Sequence, residues 1–187
     1  MHEDAYTLER FIEELRHVAI ESIDERQLLS RVRPLAHRLA ISKSWLRPEH
    51  YRADPEQGFG VHVLHEEADH SLAVFAASWL PSRGAPPHDH GTWAVVVGVD
   101  GPEKNVFWER LDNRSRPGYA ELRKSGEKMF GPGDVLAMPS GVIHSVLNES
   151  TQVSLSLHVY GKHVNHTERS KFDPEQRTET TFKVKLN

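Results

Sequence analysis

His88 and His90 stand two residues apart in Pro87-His88-Asp89-His90. On a strand, positions two apart share a face, so the pair can offer two neighbouring imidazoles to one metal ion. Alone the pair is weak: with 13 histidines in 187 residues, about one His-x-His arises by chance. Residues 133–148 add a stronger signal, because they fit Gly-x5-Pro-x-Gly-x2-His-x3-Asn at every specified position, from Gly133 through Pro139, Gly141 and His144 to Asn148. This chain's own residue frequencies make such a match an event of about one in ten thousand. Gly133 and Gly141 suit the turns that bound a short strand. His144 would head that strand and face the His88/His90 strand across a barrel interior.

A third row follows. Ser156, His158 and Tyr160 alternate with Leu155, Leu157 and Val159, so a strand here has one wholly polar face and one wholly apolar face. Beside a metal site, Ser156 can orient His158, and His158 can hydrogen-bond the Tyr160 hydroxyl. The competing interpretation is an ordinary solvent face with the leucines inward. Most other histidines read as structural or solvated. His2, His17, His37 and His50 fall in the front of the chain and are expected at the surface, His62, His65 and His70 in packing or at the surface, with a pocket-facing His62 or His65 as the alternative, and His163 and His166 in a solvated turn. Trp79 and Trp93 read as barrel packing, since large aromatics dominate buried area.

The elements that must position these groups change character along the chain. Leu8, Phe11, Ile12, Leu15, Val18 and Ala19 mark one face of a helix. Ser22 with Glu25 predicts the capping box of a second helix, with Leu28, Leu29 and Val32 on its apolar stripe. Pro34 is expected to start a new segment carrying Leu35 and Leu39. After about residue 58 the period becomes two, with short runs near 60–65, 71–80, 92–99, 104–111, 119–123, 134–138, 142–148 and 152–160. Clusters such as Pro86-Pro87, Asp100-Gly101-Pro102 and Gly131-Pro132-Gly133 separate them. Many short strands at this spacing predict a barrel or sandwich, not βαβ units. One domain is expected over 1–187: a helical cap at 1–45, a β-barrel with the metal site at 58–170, and a tail or edge strand at 171–187, with the polar 173–180 stretch loosely ordered.

Composition removes whole classes. With 23 Lys+Arg against 27 Asp+Glu, the net charge is −4, which disfavours nucleic acid and anionic membranes as partners. There are no cysteines, so disulfides, thiolate metal sites and a cysteine nucleophile are excluded. No apolar run is long enough to span a bilayer. The start, MHEDAYTLERF, has neither the basic nor the apolar region of a signal peptide. A cytoplasmic monomer or homodimer is the expectation.

The 133–148 segment resembles the second motif of the cupin superfamily, and Pro87-His88-Asp89-His90 resembles the core of the first. The first motif normally carries a glutamate four or five residues past its second histidine, where this chain has Ala94 and Val95. The resemblance therefore implies a small cupin (double-stranded β-helix, or jelly-roll) barrel with Fe(II) held by His88, His90 and His144 and no carboxylate. That set, with Ser156, His158 and Tyr160 at the family's triad spacing, resembles the cysteine dioxygenase type I branch of thiol dioxygenases. Its pattern is nearest to the bacterial 3-mercaptopropionate dioxygenases, and it extends over about residues 60–170. It implies conversion of a small, carboxylated thiol and O2 to a sulfinate. The internal Cys–Tyr crosslink of mammalian-type members cannot form here. The arginine or glutamine that relatives carry on the strand before the metal motif is missing from residues 60–65. The resemblance instead assigns Arg169, nine residues beyond Tyr160, to the substrate carboxylate, with Arg83 as the reserve. Two alternatives remain: a three-histidine cupin dioxygenase cleaving a carbon–carbon bond, and a non-catalytic ligand-binding cupin.

Overall fold

The computed structural model describes residues 6–187; His2 lies outside them. Among the described residues two α-helices precede eleven strands. The helices are α1 (Leu8–Glu21) and α2 (Glu25–Ser42). The strands are β1 (Phe59–Glu66), β2 (Ser71–Trp79), β3 (Gly84–His88), β4 (Ala94–Asp100), β5 (Glu103–Arg110), β6 (Leu122–Phe130), β7 (Val135–Met138), β8 (Ile143–Leu147), β9 (Ser154–Lys162), β10 (Ser170–Asp173) and β11 (Thr178–Thr181). They form two antiparallel sheets, ordered β1-β2-β9-β4-β7 and β11-β10-β3-β8-β5-β6. The chain is mainly β, a double-stranded β-helix barrel with an N-terminal helical pair. None of its described helices is long and apolar enough to cross a membrane.

The five-stranded sheet is covered on both faces. Its outer face, through Val74, Val95, Val97, Leu155, Leu157 and Val159, packs against Phe11, Leu15, Val32 and Leu39 of the helices. Its inner face meets the six-stranded sheet through Phe75, Ala94, Tyr160 and Val146. The leucines of β9 thus point outward to the helices, and its polar row points into the barrel. Phe11 is fully buried between helix and sheet. Phe11→Ala is expected to lower unfolding free energy by about 3–5 kcal/mol, measured by denaturant titration, without changing metal content below the transition.

Several local expectations are corrected. The α2 N-cap is Asp24, whose Oδ1 accepts the Gln27 N–H at 2.7 Å. Ser22 closes α1 instead, donating from Oγ to the Val18 carbonyl. Glu25 is thereby released to accept hydrogen bonds from the Ser140 backbone and hydroxyl, tying the cap to the turn before β8. Pro34 lies inside α2 without starting a new segment, because it sits on the exposed face, where water can solvate the carbonyl it leaves unpaired. Pro86-Pro87 does not separate strands but forms part of β3. The pairing of β3 with β8 breaks between Ala85 and His88, where the prolines have no N–H to give. Residues 173–180 are the turn and return strand of the β10–β11 hairpin. The alternating 181–186 run is not an edge strand beyond Thr181; its Phe182 and Val184 turn inward and are buried. Gly133 and Gly141 have φ of 84° and 86°, the left-handed values that only glycine adopts freely.

Candidate metal centre

His88 and His144 are not on opposite walls. They are direct partners on adjacent strands β3 and β8 of one sheet. His90 lies just beyond the end of β3, so strand alternation does not aim it. Its loop is held by Asp89 N–H donating to the Ser170 carbonyl and by the Thr167 hydroxyl donating to the His90 carbonyl. The three ring centroids stand 4.7–5.1 Å apart, and one nitrogen from each ring lies within 4.8 Å of the others.

Two of the rings are oriented from behind. His88 Nδ1 donates to the Pro86 carbonyl at 2.7 Å, and His144 Nδ1 bonds Asn105 Oδ1 at 2.8 Å. A neutral imidazole with its proton on Nδ1 keeps Nε2 as the lone-pair donor, the usual arrangement behind a metal-binding histidine. Burial pushes His88 and His90 well below the ordinary histidine range and His144 down to about 3, with nearby His and Arg169 charges acting the same way. All three rings are therefore neutral and able to bind at physiological pH. This donor set fits a divalent ion. With no carboxylate among the three, the full 2+ charge would remain, which favours an anionic further ligand.

The polar row of β9 faces the same cavity. Ser156 Oγ and His158 Nε2 are 2.8 Å apart, as are His158 Nδ1 and the Tyr160 hydroxyl. Burial lowers His158 to about 3 and raises Tyr160 above its ordinary value. The neutral His158 ring must donate at one nitrogen and accept at the other, so the row has two mirror states. In one, Tyr160 donates to His158. In the other, Ser156 donates to His158 and the Tyr160 hydroxyl proton is free for a ligand.

At the far end of this row lies a carboxyl that residue patterns do not reveal. Glu103 opens β5 directly after the Asp100-Gly101-Pro102 turn, where a charge reads as loop polarity. It is buried against Ser156 and Trp79, with Oε1 lacking a hydrogen-bond partner, and burial raises it to about 7. Trp79 Nε1 donates to Ser156 Oγ at 3.4 Å. Asn105, two residues on, is equally hidden from sequence reasoning: its signal is only the strand alternation that turns Glu103 and Asn105 inward together.

Arg169 is brought to the site and Arg83 is not. Arg169 is 4% exposed and lines the cavity with the three histidines, His158 and Tyr160. Its Nε donates to the Asp89 carbonyl, and its guanidinium lies 4.3 Å from the Phe182 ring centre. Burial lowers it to about 10, which leaves it charged at neutral pH. Arg83 is exposed, with its guanidinium donating to the Glu56 carbonyl. Phe59, Phe75, Trp79, Val164 and Phe182 complete an otherwise apolar wall. The free volume is about 40 Å³, room for about three waters, so only a small ligand fits.

The remaining histidines divide differently from expectation. His50 is buried, stacked on Trp45 at 5.6 Å, and His163 is also buried. His17 and His37 are exposed as expected. His62 is buried without reaching the cavity, its Nε2 bonded to the Arg52 carbonyl.

No family model matches the chain. Among solved structures, oxalate oxidase in complex with the substrate analogue glycolate is 15% identical over 63% of this chain and 59% of that one, with a TM-score of 0.47. A conserved protein with a double-stranded β-helix domain from Klebsiella pneumoniae subsp. pneumoniae is 11% identical over 68% and 96%, with a TM-score of 0.48. The Cnp3 cupin domain of Schizosaccharomyces pombe is 11% identical over 57% and 63%, with a TM-score of 0.44. The chain spans less than two thirds of the oxalate oxidase chains that it matches.

Proposed function

We propose that the protein is an Fe(II)-dependent thiol dioxygenase that converts a small carboxylated thiol and O2 to the corresponding sulfinate. The observation that carries this reading is the convergence of a carboxylate-free trio (His88, His90, His144), the Ser156–His158–Tyr160 row and the buried cation Arg169 on one small cavity. The stoichiometry closes without another reductant, since sulfur gives four electrons, O2 takes four, and both oxygen atoms end on sulfur. An iron ion held by the three histidines would bring sulfur and O2 side by side and relay electrons between them. The chain's own groups do the rest. Arg169 neutralises the far end of the substrate, the apolar wall excludes water, and Tyr160 presents or withholds a proton as His158 changes tautomer.

Oxygen-electrode assays of the anaerobically iron-loaded protein against cysteine, 3-mercaptopropionate, mercaptosuccinate and cysteamine test the proposal. Oxygen uptake with none of them, from protein containing iron, would overturn it.

Arg169 supplies a graded prediction. An unpaired buried charge is costly, and a carboxylate accepts two parallel hydrogen bonds from a guanidinium fork. Loss of such a charged pair is worth about 1.5–3 kcal/mol. Arg169→Ala should therefore raise KM for a carboxylated thiol by about one to two orders of magnitude and scarcely affect cysteamine, which has no carboxylate. Parallel steady-state kinetics on the two thiols is the measurement; equal effects on both would remove Arg169 from the substrate contact.

A further inference from the structure

We propose that Glu103 is a fourth member of the Ser156–His158–Tyr160 row, a positioning residue whose carboxyl selects the tautomer of His158 through Ser156. It thereby decides whether the Tyr160 hydroxyl proton faces the cavity. The consequence for turnover rests on the proposed function; the tautomer itself does not.

Glu103 reaches the row from the other sheet. It opens β5, where alternation turns Lys104 outward to Glu149 and leaves Glu103 and Asn105 buried. Asn105 holds His144 from behind, and Glu103 lies against Ser156 and Trp79 at the far end of the β9 row. His158 and Tyr160 line the cavity, while Glu103 and Ser156 stand behind them. Any influence of Glu103 on a ligand must therefore pass along the row.

The hydroxyl of Ser156 has one proton and two acceptor sites. Three groups converge on it: Trp79 Nε1, His158 Nε2 and the Glu103 carboxyl. The indole only donates, so of the other two one must donate and the other accept. A neutral Glu103 donates to Ser156, Ser156 donates to His158 Nε2, and the ring proton on Nδ1 goes to the Tyr160 oxygen. The Tyr160 proton is then free for a ligand. An ionised Glu103 accepts from Ser156, His158 Nε2 donates to Ser156, and Nδ1 accepts from Tyr160. The two states differ by one proton. If Tyr160 gives its proton to a ligand, Tyr160 takes one from His158, His158 from Ser156 and Ser156 from Glu103, which is left as the carboxylate.

The surroundings poise this carboxyl between its two forms. Burial raises it to about 7, and the charged groups nearby are engaged elsewhere. Lys104 faces Glu127 and Glu149, Asp100 is bound to Lys43 and Tyr51, and Arg169 lies at the Tyr160 end. Its partner on β6 is Phe130. Among the described residues Oε1 has no hydrogen-bond partner, which costs a neutral carboxyl less than a carboxylate. His158, held down at about 3, stays neutral throughout.

The experiment is nitrogen NMR of the His158 imidazole in protein loaded with diamagnetic Zn2+, about one pH unit below and above the Glu103 value. The wild type should carry the ring proton on Nδ1 at the lower pH and on Nε2 at the higher. Glu103→Gln, isosteric and unable to ionise, should hold one tautomer at both, with unchanged circular dichroism. In oxygen-uptake assays wild-type kcat should fall about tenfold per pH unit on the alkaline side, and the Glu103→Gln profile should lack that limb. A merely structural carboxyl would change stability and leave the tautomer alone. One tautomer in the wild type at both pH values overturns the proposal without any variant, and so does a Glu103→Gln protein that switches as the wild type does. Because the tautomer is read without turnover, these outcomes hold whatever reaction the site performs.

Discussion

His144→Ala is expected to remove one metal ion per chain and all oxygen-dependent activity while the barrel stays folded. His144 supplies one of three nitrogens, and its ring is fixed from behind by Asn105. The strand that carries it is held by backbone pairing to both β3 and β5, so the side chain can be deleted without unzipping the sheet. The deletion also removes a buried imidazole and leaves Asn105 Oδ1 without a partner, a cost of about 1–3 kcal/mol. Domains are typically stable by about 5–15 kcal/mol, so the variant is expected to be weakened but folded. Asn105→Ala gives the intermediate case, because it frees the ring without removing it, and should weaken metal affinity by about 10–100-fold. Metal analysis after dialysis, with circular dichroism as the folding control, decides both. Retention of the wild-type ion count by His144→Ala would refute the assignment.

Tyr160→Phe is expected to keep metal and fold and to slow turnover by about 10²–10⁴, the range for loss of a positioned proton donor. The substitution deletes only a hydroxyl 2.8 Å from His158 Nδ1. Its ring contacts with Phe75, at 5.6 Å, and His90, at 5.1 Å, remain. A purely structural hydroxyl would show up as lower stability with unchanged kcat. Full kcat in Tyr160→Phe would return the β9 row to the status of packing.

The three metal-facing histidines are legible in the sequence because short motifs with turn-forming residues carry them, and such motifs survive without knowledge of the tertiary fold. The β9 row is legible for a different reason: strict alternation leaves only two choices, polar in or polar out. Choosing between them needs the helices, since it is Leu15, Val32 and Leu39 that claim the apolar face of β9. How His88 and His144 meet is not legible, because strand order depends on long-range pairing that no local pattern encodes. Glu103 and His163 are hidden for the opposite reason. Each borders a turn, Glu103 just after one and His163 just before one, where a polar residue is expected in water, and only packing from other elements buries it. Ser22 and Pro34 mislead in turn: Asp24, two residues on, takes the cap that Ser22 suggests, and Pro34 falls on the exposed face of α2.

The wall made by residues 182–187 belongs to neither sheet. Phe182 and Val184 press into the cavity, yet this run is fastened mainly through side-chain amides: Asn165 brackets Val184, and Gln57 brackets Lys185. Backbone bonds secure only its two ends, from Phe182 to the Arg169 carbonyl and from Asn187 to the Val61 carbonyl. Such a strap can lift off at a fraction of the free energy needed to part β2 from β9, because local openings cost only the contacts they break. Traffic into a chamber too small to admit bulk water therefore need not disturb the histidines or the β9 row. The sheets need not part for a small molecule to reach the site, because the strap is the wall with the fewest backbone bonds.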